Sequence, residues 1–130
     1  NIARAMQNLN FECKGAKVRE EYISKQTIIK QGNNWKIIQL STHPLHFYEI
    51  YRLEFENRID MKTNGQCHIL NLVEGSKIKI ITGNRTMVIR YAETFVVPAD
   101  AQKYQLINIG NTKAKVIQSY VKPEFCNYEL

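Results

Sequence analysis

Short β-type segments separated by tight turn signals constrain the fold of this chain more than any other feature. Three of these signals are residue pairs that tolerate the positive φ of a hairpin turn: Asn64-Gly65, Gly83-Asn84 and Gly110-Asn111. Gly75 ends a further apolar segment, and Pro98 closes another. Short strands with a turn about every 8 to 12 residues are typical of an all-β sandwich or barrel.

The apolar pattern predicts about nine strands. They cover residues 22–30, 35–40, 45–56, 67–73, 77–82, 86–90, 95–97, 104–109 and 115–121. Residues 45–56 alternate most regularly, with Tyr51, Leu53 and Phe55 on one face and Arg52 and Glu54 on the other. On the apolar face we also place Leu45, Phe47 and Glu49.

The start of the chain has a different period. Ile2, Met6 and Leu9 are spaced as on one face of a helix, so we expect a short amphipathic helix. We therefore divide residues 1–130 as one domain with a helix and leading loop over 1–21, strands over 22–122 and a tail over 123–130. Because the first residue is asparagine, we expect a fragment of a longer protein.

Length and composition indicate a single globular domain. The chain has 130 residues, of which 44% are hydrophobic and 23% charged. No apolar run approaches the roughly 20 residues of a membrane span, so we expect no membrane partner and a cytoplasmic location. Three widely spaced cysteines without a C-x-x-C pair favour reduced thiols, which fits that location.

The net charge of +6 raises the question of a nucleic-acid partner. The basic residues are dispersed along the sequence, and residues 46–55 carry Glu49 and Glu54 beside their aromatic side chains. We therefore expect a solvated basic surface and no nucleic-acid partner. A basic nucleic-acid-associated β-barrel is the third of three functional hypotheses.

A family resemblance is carried by two segments. Ile-Leu-Asn-Leu-Val-Glu-Gly at 69–75 is followed by Arg-Tyr-Ala-Glu-Thr-Phe-Val-Val-Pro-Ala at 90–99 and by Lys103-Tyr104. Together they resemble the C-terminal cupin region of class I mannose-6-phosphate isomerase-like proteins. The likeness spans residues 3–122 and is strongest from 69 to 104. It implies an all-β, cupin-type double-stranded β-helix, a jelly-roll barrel, with a short N-terminal helix.

Cupins hold a metal ion with two histidines, a glutamate and a third histidine. If Gly75 closes the first cupin motif, the resemblance puts His68 at the glutamate position and Lys62 and Asn64 at the two histidine positions. Lys103 takes the third histidine position, and its ammonium has no lone pair for a metal at pH 7. We therefore expect no metal site and no cofactor in this chain.

With the alternative motif spacing, Met61 and Thr63 replace the first two ligands. The alignment places Lys103 and His68 inside the barrel, where with Lys62 or Asn64 they would bind an anion such as a phosphate. The alternative is that these long side chains simply fill the former metal pocket.

The spacing of the polar residues does not indicate a catalytic site. No serine–histidine–aspartate, cysteine–histidine or paired-carboxylate arrangement can be derived from the spacing, so we assign no catalytic residue. Glu93 is a candidate for a lone general acid or base, but its place before a strand favours a role in capping a turn. Whether the chain is an enzyme stays open.

The resemblance implies an accessory, non-catalytic cupin domain of a sugar-phosphate aldose–ketose isomerase in carbohydrate metabolism. Zinc and the chemistry would belong to a catalytic domain of the same protein, which would be the main partner, and a homodimer is a further option. The alternative is a stand-alone, metal-free cupin that binds a sugar or sugar phosphate.

Overall fold

The computed structural model describes residues 1–126, and these form two antiparallel β-sheets with short helical turns at the periphery. The strands are β1 Gln26–Gly32, β2 Trp35–Leu40, β3 Tyr48–Phe55, β4 Arg58–Lys62, β5 His68–Glu74, β6 Lys77–Thr82, β7 Arg85–Arg90, β8 Thr94–Val97, β9 Lys103–Asn108 and β10 Ala114–Val121. The larger sheet has the order β1-β2-β3-β10-β5-β8, and the smaller sheet has the order β4-β9-β6-β7. The predicted all-β class is confirmed.

Three parts of the strand assignment were wrong. Strand β4 was missed, because only two residues separate it from β3 and only Ile59 in it is buried. Strand β1 begins at Gln26 instead of residue 22, because the preceding Val18–Tyr22 forms one π-helical turn. Leu45 and Phe47 lie before β3 and are exposed, so they do not extend its inward face.

The N-terminal segment forms the expected helix, α1 Ile2–Gln7, which Asn1 caps by accepting a hydrogen bond from the Arg4 backbone N–H at 3.3 Å. Its apolar side chains Ile2 and Met6 are exposed. A 3-10 turn at Pro123–Phe125 follows β10, and the rest of the assigned tail, 127–130, lies outside the described residues. No helix in residues 1–126 is long and apolar enough to span a membrane.

The hydrophobic core lies between the two sheets. Alternate residues of each strand point inward, as the period of two requires. The fully buried members are Leu53, Phe55, Leu70, Leu72, Ile78, Leu106, Ala114 and Val116. Trp35 and Ile37 pack against this cluster from β2.

Of the three hairpin turns predicted from the sequence, only Gly83-Asn84 joins two paired strands, β6 and β7. Asn64-Gly65 and Gly110-Asn111 were wrong as hairpins, because each connects strands of different sheets, and neither Gly110 nor Asn111 has a positive φ. Asn64, Gly65 and Gly83 all have positive φ. Glu93 caps its turn, because its carboxylate accepts a 2.7 Å hydrogen bond from the backbone N–H of Arg90. The capping interpretation of Glu93 is thereby supported over a catalytic one.

Among the glycines of residues 1–126, Gly75 alone combines a positive φ with a backbone atom close to an added Cβ. It has φ +99°, and an added Cβ would lie 3.2 Å from the Cα of Ala114 in the neighbouring strand. We expect Gly75→Ala to lower the free energy of unfolding by about 2 kcal/mol or more, because strain and close approach act together.

Gly83→Ala provides the matched control. Gly83 also has a positive φ, +50°, but nothing lies within 4 Å of an added Cβ. Chemical denaturation should show a loss of about 1 kcal/mol or less for this variant. Equal losses in the two variants would contradict the steric role of Ala114.

Candidate functional site

A cavity of about 300 Å³ opens at one end of the barrel. We call it the barrel cavity. Its floor is formed by His68 at the start of β5 and by Gln118 of β10, and Tyr120 of β10 belongs to a wall. Its walls and mouth are Ile29, Ile37, Tyr51, Met61, Lys62, Thr63, Asn64, Gln66 and Pro123. Strand alternation explains the floor, because these residues continue the inward face that forms the core lower in the sheet.

A hydrogen-bonded cluster lies under the floor. The Nδ1 atom of His68 is 2.9 Å from the Tyr104 hydroxyl oxygen and 3.2 Å from Nε2 of Gln118. In the assigned amide orientation Gln118 donates, so Nδ1 accepts and the neutral imidazole carries its proton on Nε2. Burial raises the pKa of Tyr104, which therefore keeps its hydroxyl proton and can also donate.

The other end of the Gln118 amide is unpartnered. Among residues 1–126 no donor reaches Gln118 Oε1, although this atom is buried. A buried acceptor without a hydrogen bond destabilises a protein by about 1–3 kcal/mol. Gln118 lines the barrel cavity, so an unused hydrogen-bond acceptor belongs to one of its lining residues.

Two tyrosines form an aromatic wall above the cluster. The rings of Tyr51 and Tyr120 are nearly parallel, with centroids 5.7 Å apart, and their hydroxyl oxygens are 3.3 Å apart. Burial, with a further contribution from the Tyr120 hydroxyl, raises the pKa of Tyr51. The Tyr51 hydroxyl is therefore a neutral hydrogen-bonding group near pH 7, and the ring faces of the two tyrosines offer apolar contact.

The structure separates the four residues selected from the sequence. Lys62, Asn64 and His68 line the barrel cavity. Lys103 does not, so the expectation that it lines the interior was wrong. It is exposed on β9, directly opposite Lys62, in a groove that also contains Asn64. Inward and outward residues alternate in a strand, and Tyr104 takes the inward place.

The sequence reasoning did not select Gln118, Tyr51, Tyr120 or Tyr104 as site residues. The sequence signal that could have identified two of them is the alternation of inward and outward residues in 104–109 and 115–121. In these segments Tyr104 shares a face with Leu106, and Gln118 shares a face with Val116. A polar residue among inward apolar ones is a candidate for a buried hydrogen-bonding site.

Metal-ligand residues do not converge in the described part of the chain. Residues 1–126 contain no group of three His, Cys, Asp or Glu side chains placed to hold an ion. His43 and His46 lie against each other with ring centroids 5.6 Å apart, but both are exposed. Among the described residues that line the barrel cavity, His68 is the only imidazole and no carboxylate is present.

Comparison of the sequence with family models found no match, and no curated protein matches it significantly. Solved structures do match the fold. The cupin domain of Cnp3 from Schizosaccharomyces pombe superposes with a TM-score of 0.59 at 16% identity, covering 74% of this chain and 68% of that one. A cupin 2 conserved barrel domain protein from Salinispora arenicola superposes with a TM-score of 0.60 at 10% identity. This match covers 75% of this chain and 83% of that one.

The fold is the cupin jelly roll. Mannose 6-phosphate isomerase from Bacillus subtilis has the same cupin fold in part, with a TM-score of 0.61 at 13% identity. The match covers 75% of this chain but only 29% of the isomerase. Identities this low show the cupin fold alone, and the activity of that enzyme is not transferred by them.

The buried His68 makes the stability of this domain depend on pH. Burial lowers the pKa of His68 below its ordinary value of 6.5, and the Thr63 backbone opposes this only in part. As the pH falls from about 7 towards 5, the unfolded chain takes up a proton that the folded state does not bind. We therefore expect the Tm to fall over this range.

His68→Gln should flatten this dependence, whatever its effect on the Tm at pH 7, because the titrating group is removed. His43→Gln, at an exposed histidine, should keep the slope of the unchanged protein. Thermal unfolding at a series of pH values measures all three proteins. The same slope for the unchanged protein and for His68→Gln would contradict this assignment.

Proposed function

We propose that the barrel cavity binds a small hydroxylated molecule, a sugar or sugar phosphate, and that the domain performs no chemistry on it. The supporting observation is the buried Gln118 Oε1, for which residues 1–126 provide no donor. It belongs to a floor residue of a cavity of about 300 Å³, where a ligand hydroxyl would supply the missing hydrogen bond.

The cavity walls suit the other surfaces of a sugar. The ring faces of Tyr51 and Tyr120 and the side chains of Ile29 and Ile37 offer apolar contact to carbon-bound hydrogens. The tyrosine hydroxyls and the Gln118 amide provide a few fixed polar groups. A mainly apolar lining with few polar groups is the usual composition of a small-molecule site.

An anionic group of the ligand would lie at the cavity mouth. Lys62 is exposed there and has no ion pair with a carboxylate in residues 1–126. Its ammonium would act as a point charge for a phosphate, with Asn64 beside it as a hydrogen-bond donor. Lys103, on the adjacent strand, would contribute at longer range.

A binding role agrees with the groups that the cavity offers. The described cavity residues include one imidazole and no carboxylate, so a paired acid and base or an activated nucleophile cannot be assembled from them. We retain the metal-free state as part of the proposal. The partial likeness to a protein named mannose 6-phosphate isomerase supports a sugar phosphate as the ligand class.

Gln118→Met tests the cavity directly. With mannose 6-phosphate at ten times its Kd, binding adds about 1.4 kcal/mol and raises the Tm by roughly 4 °C for a domain of this size. Gln118→Met keeps the volume but removes the acceptor, so the rise should disappear. The stability of the free variant should change little, because loss of the Nε2 hydrogen bond to His68 offsets removal of the unpartnered oxygen.

The control is Gln105→Met, on the outward face of β9, which should keep the ligand-induced rise. Differential scanning fluorimetry and isothermal titration calorimetry provide the measurements. No Tm shift in the unchanged protein at millimolar ligand, or a full shift in Gln118→Met, would refute the cavity as the binding site.

A second candidate function is that of an accessory domain in a larger isomerase-like protein of cytoplasmic carbohydrate metabolism. The observation that favours it is the match to 29% of the Bacillus subtilis isomerase. The outer surface of the larger sheet supports it too, because Ile69 and Val96 are paired neighbours there and both are exposed. A catalytic domain of the same protein or a second copy would cover them.

The accessory role predicts that the chain alone does not convert mannose 6-phosphate to fructose 6-phosphate. A coupled assay with the purified chain, with and without added Zn²⁺, should give the rate of the protein-free blank. An authentic mannose 6-phosphate isomerase is the positive control. A zinc-dependent rate above the blank would show that the chemistry lies within these 130 residues after all.

A further inference from the structure

The outer face of the smaller sheet collects basic side chains. Residues on either side of the inward Ile59, Met61, Ile78, Ile89 and Tyr104 point away from the core because neighbours in a strand alternate. Six of these outward residues are cations, and we call their surface the basic face: Arg58, Lys62, Lys77, Lys79, Arg90 and Lys103.

Carboxylates neutralise little of the positive charge of the basic face. Asp60 is the only carboxylate among the outward residues of β4, β6, β7 and β9. Its Oδ2 is 3.8 Å from Nε of Arg58, and its Oδ1 accepts a 2.7 Å hydrogen bond from Gln105. Within residues 1–126, none of the other five cations of the basic face forms an ion pair.

On the larger sheet, by contrast, most cations are paired with carboxylates. Lys36 and Arg52 both contact the Glu54 carboxylate, at 3.2 and 2.8 Å, and Lys115 contacts Glu74 at 2.7 Å. Burial of Glu54 opposes its ionisation, but the two cations outweigh this and lower its pKa. The charges of the larger sheet are thus largely balanced locally, whereas the excess positive charge of the molecule is concentrated on the basic face.

The arrangement includes like charges placed directly opposite each other. Lys62 faces Lys103 across β4 and β9, and Lys77 faces Arg90 across β6 and β7. Cross-strand pairs of like charge destabilise a sheet. An anionic partner would relieve both repulsions, so charge complementarity favours such a partner on this face.

The residues between the cations narrow the class of partner. Ile81, Ile107 and Val88 are also outward and lie among the basic side chains. A phosphate backbone offers little to these apolar groups, whereas an acidic protein segment carries both carboxylates and apolar side chains. The outward residues of β4, β6, β7 and β9 include no aromatic side chain, so the face provides no stacking platform for bases.

We propose that the basic face is a docking surface for an acidic segment of a protein partner. The surface shares Lys62 with the mouth of the barrel cavity and includes Lys103 opposite it, but it does not include the cavity floor and needs no ligand there. Its free edge strand, β7, also allows the segment to add as a further strand beside Val88.

The test uses a fluorescent peptide of alternating glutamate and valine, with fluorescence anisotropy at low ionic strength. The variant Lys79→Glu/Lys103→Glu should bind the peptide about tenfold or more weakly than the unchanged protein. The control Lys14→Glu/Lys25→Glu has the same net charge but changes exposed lysines outside the basic face, and it should lose no more than about twofold.

A milder variant, Lys79→Gln/Lys103→Gln, should lose an intermediate amount of peptide affinity. It keeps the test valid if the charge-reversed protein does not fold. An oligonucleotide and phosphatidylserine vesicles, each at matched charge concentration, test the other anionic partners. Tighter binding of either than of the peptide would overturn the proposal. So would equal losses in the two charge-reversed variants, or no measurable peptide binding to the unchanged protein.

Discussion

The alternation of side chains along β10 determines both the core and the site of this protein. Strand β10 lies between β3 and β5 in the larger sheet, so it is hydrogen-bonded on both edges. Both neighbouring strands therefore fix its register. The inward face begins with Ala114 and Val116 in the core and continues to Gln118 on the cavity floor. A shift of one residue would expose the core residues and remove the amide from the cavity.

The sequence predicted the fold well because the fold depends on local signals. The glycine and asparagine turns, the apolar periodicity and the short N-terminal helix were all visible in the chain, and most strands lie within a few residues of their predicted bounds. Strand β4 was missed because its outward residues Arg58, Asp60 and Lys62 make it look like a loop. The smaller sheet is mostly polar outside, so its pattern is weak.

The site was harder to predict, because it depends on which residues meet across strands. His68, Lys62 and Asn64 were selected by analogy with metal-ligand positions, and they do lie at one cavity. The partner of His68 on β10, Gln118, is 50 residues away in sequence, and nothing local connects the two. The basic face was not predicted for the same reason. Its cations are dispersed along four strands, and only the folded sheet brings them side by side.

The two sheets differ in size, with six strands facing four. Strand β1 is an edge of the larger sheet and is exposed along its whole length, and Ile29 in it remains half exposed where it contributes to the cavity wall. Part of the pocket wall is thus supplied by a strand that contributes nothing to the packed centre. New side chains there would change which molecules fit without disturbing the residues that keep the barrel folded. The edge strand thus gives the scaffold a region where recognition can diverge while the architecture stays constant.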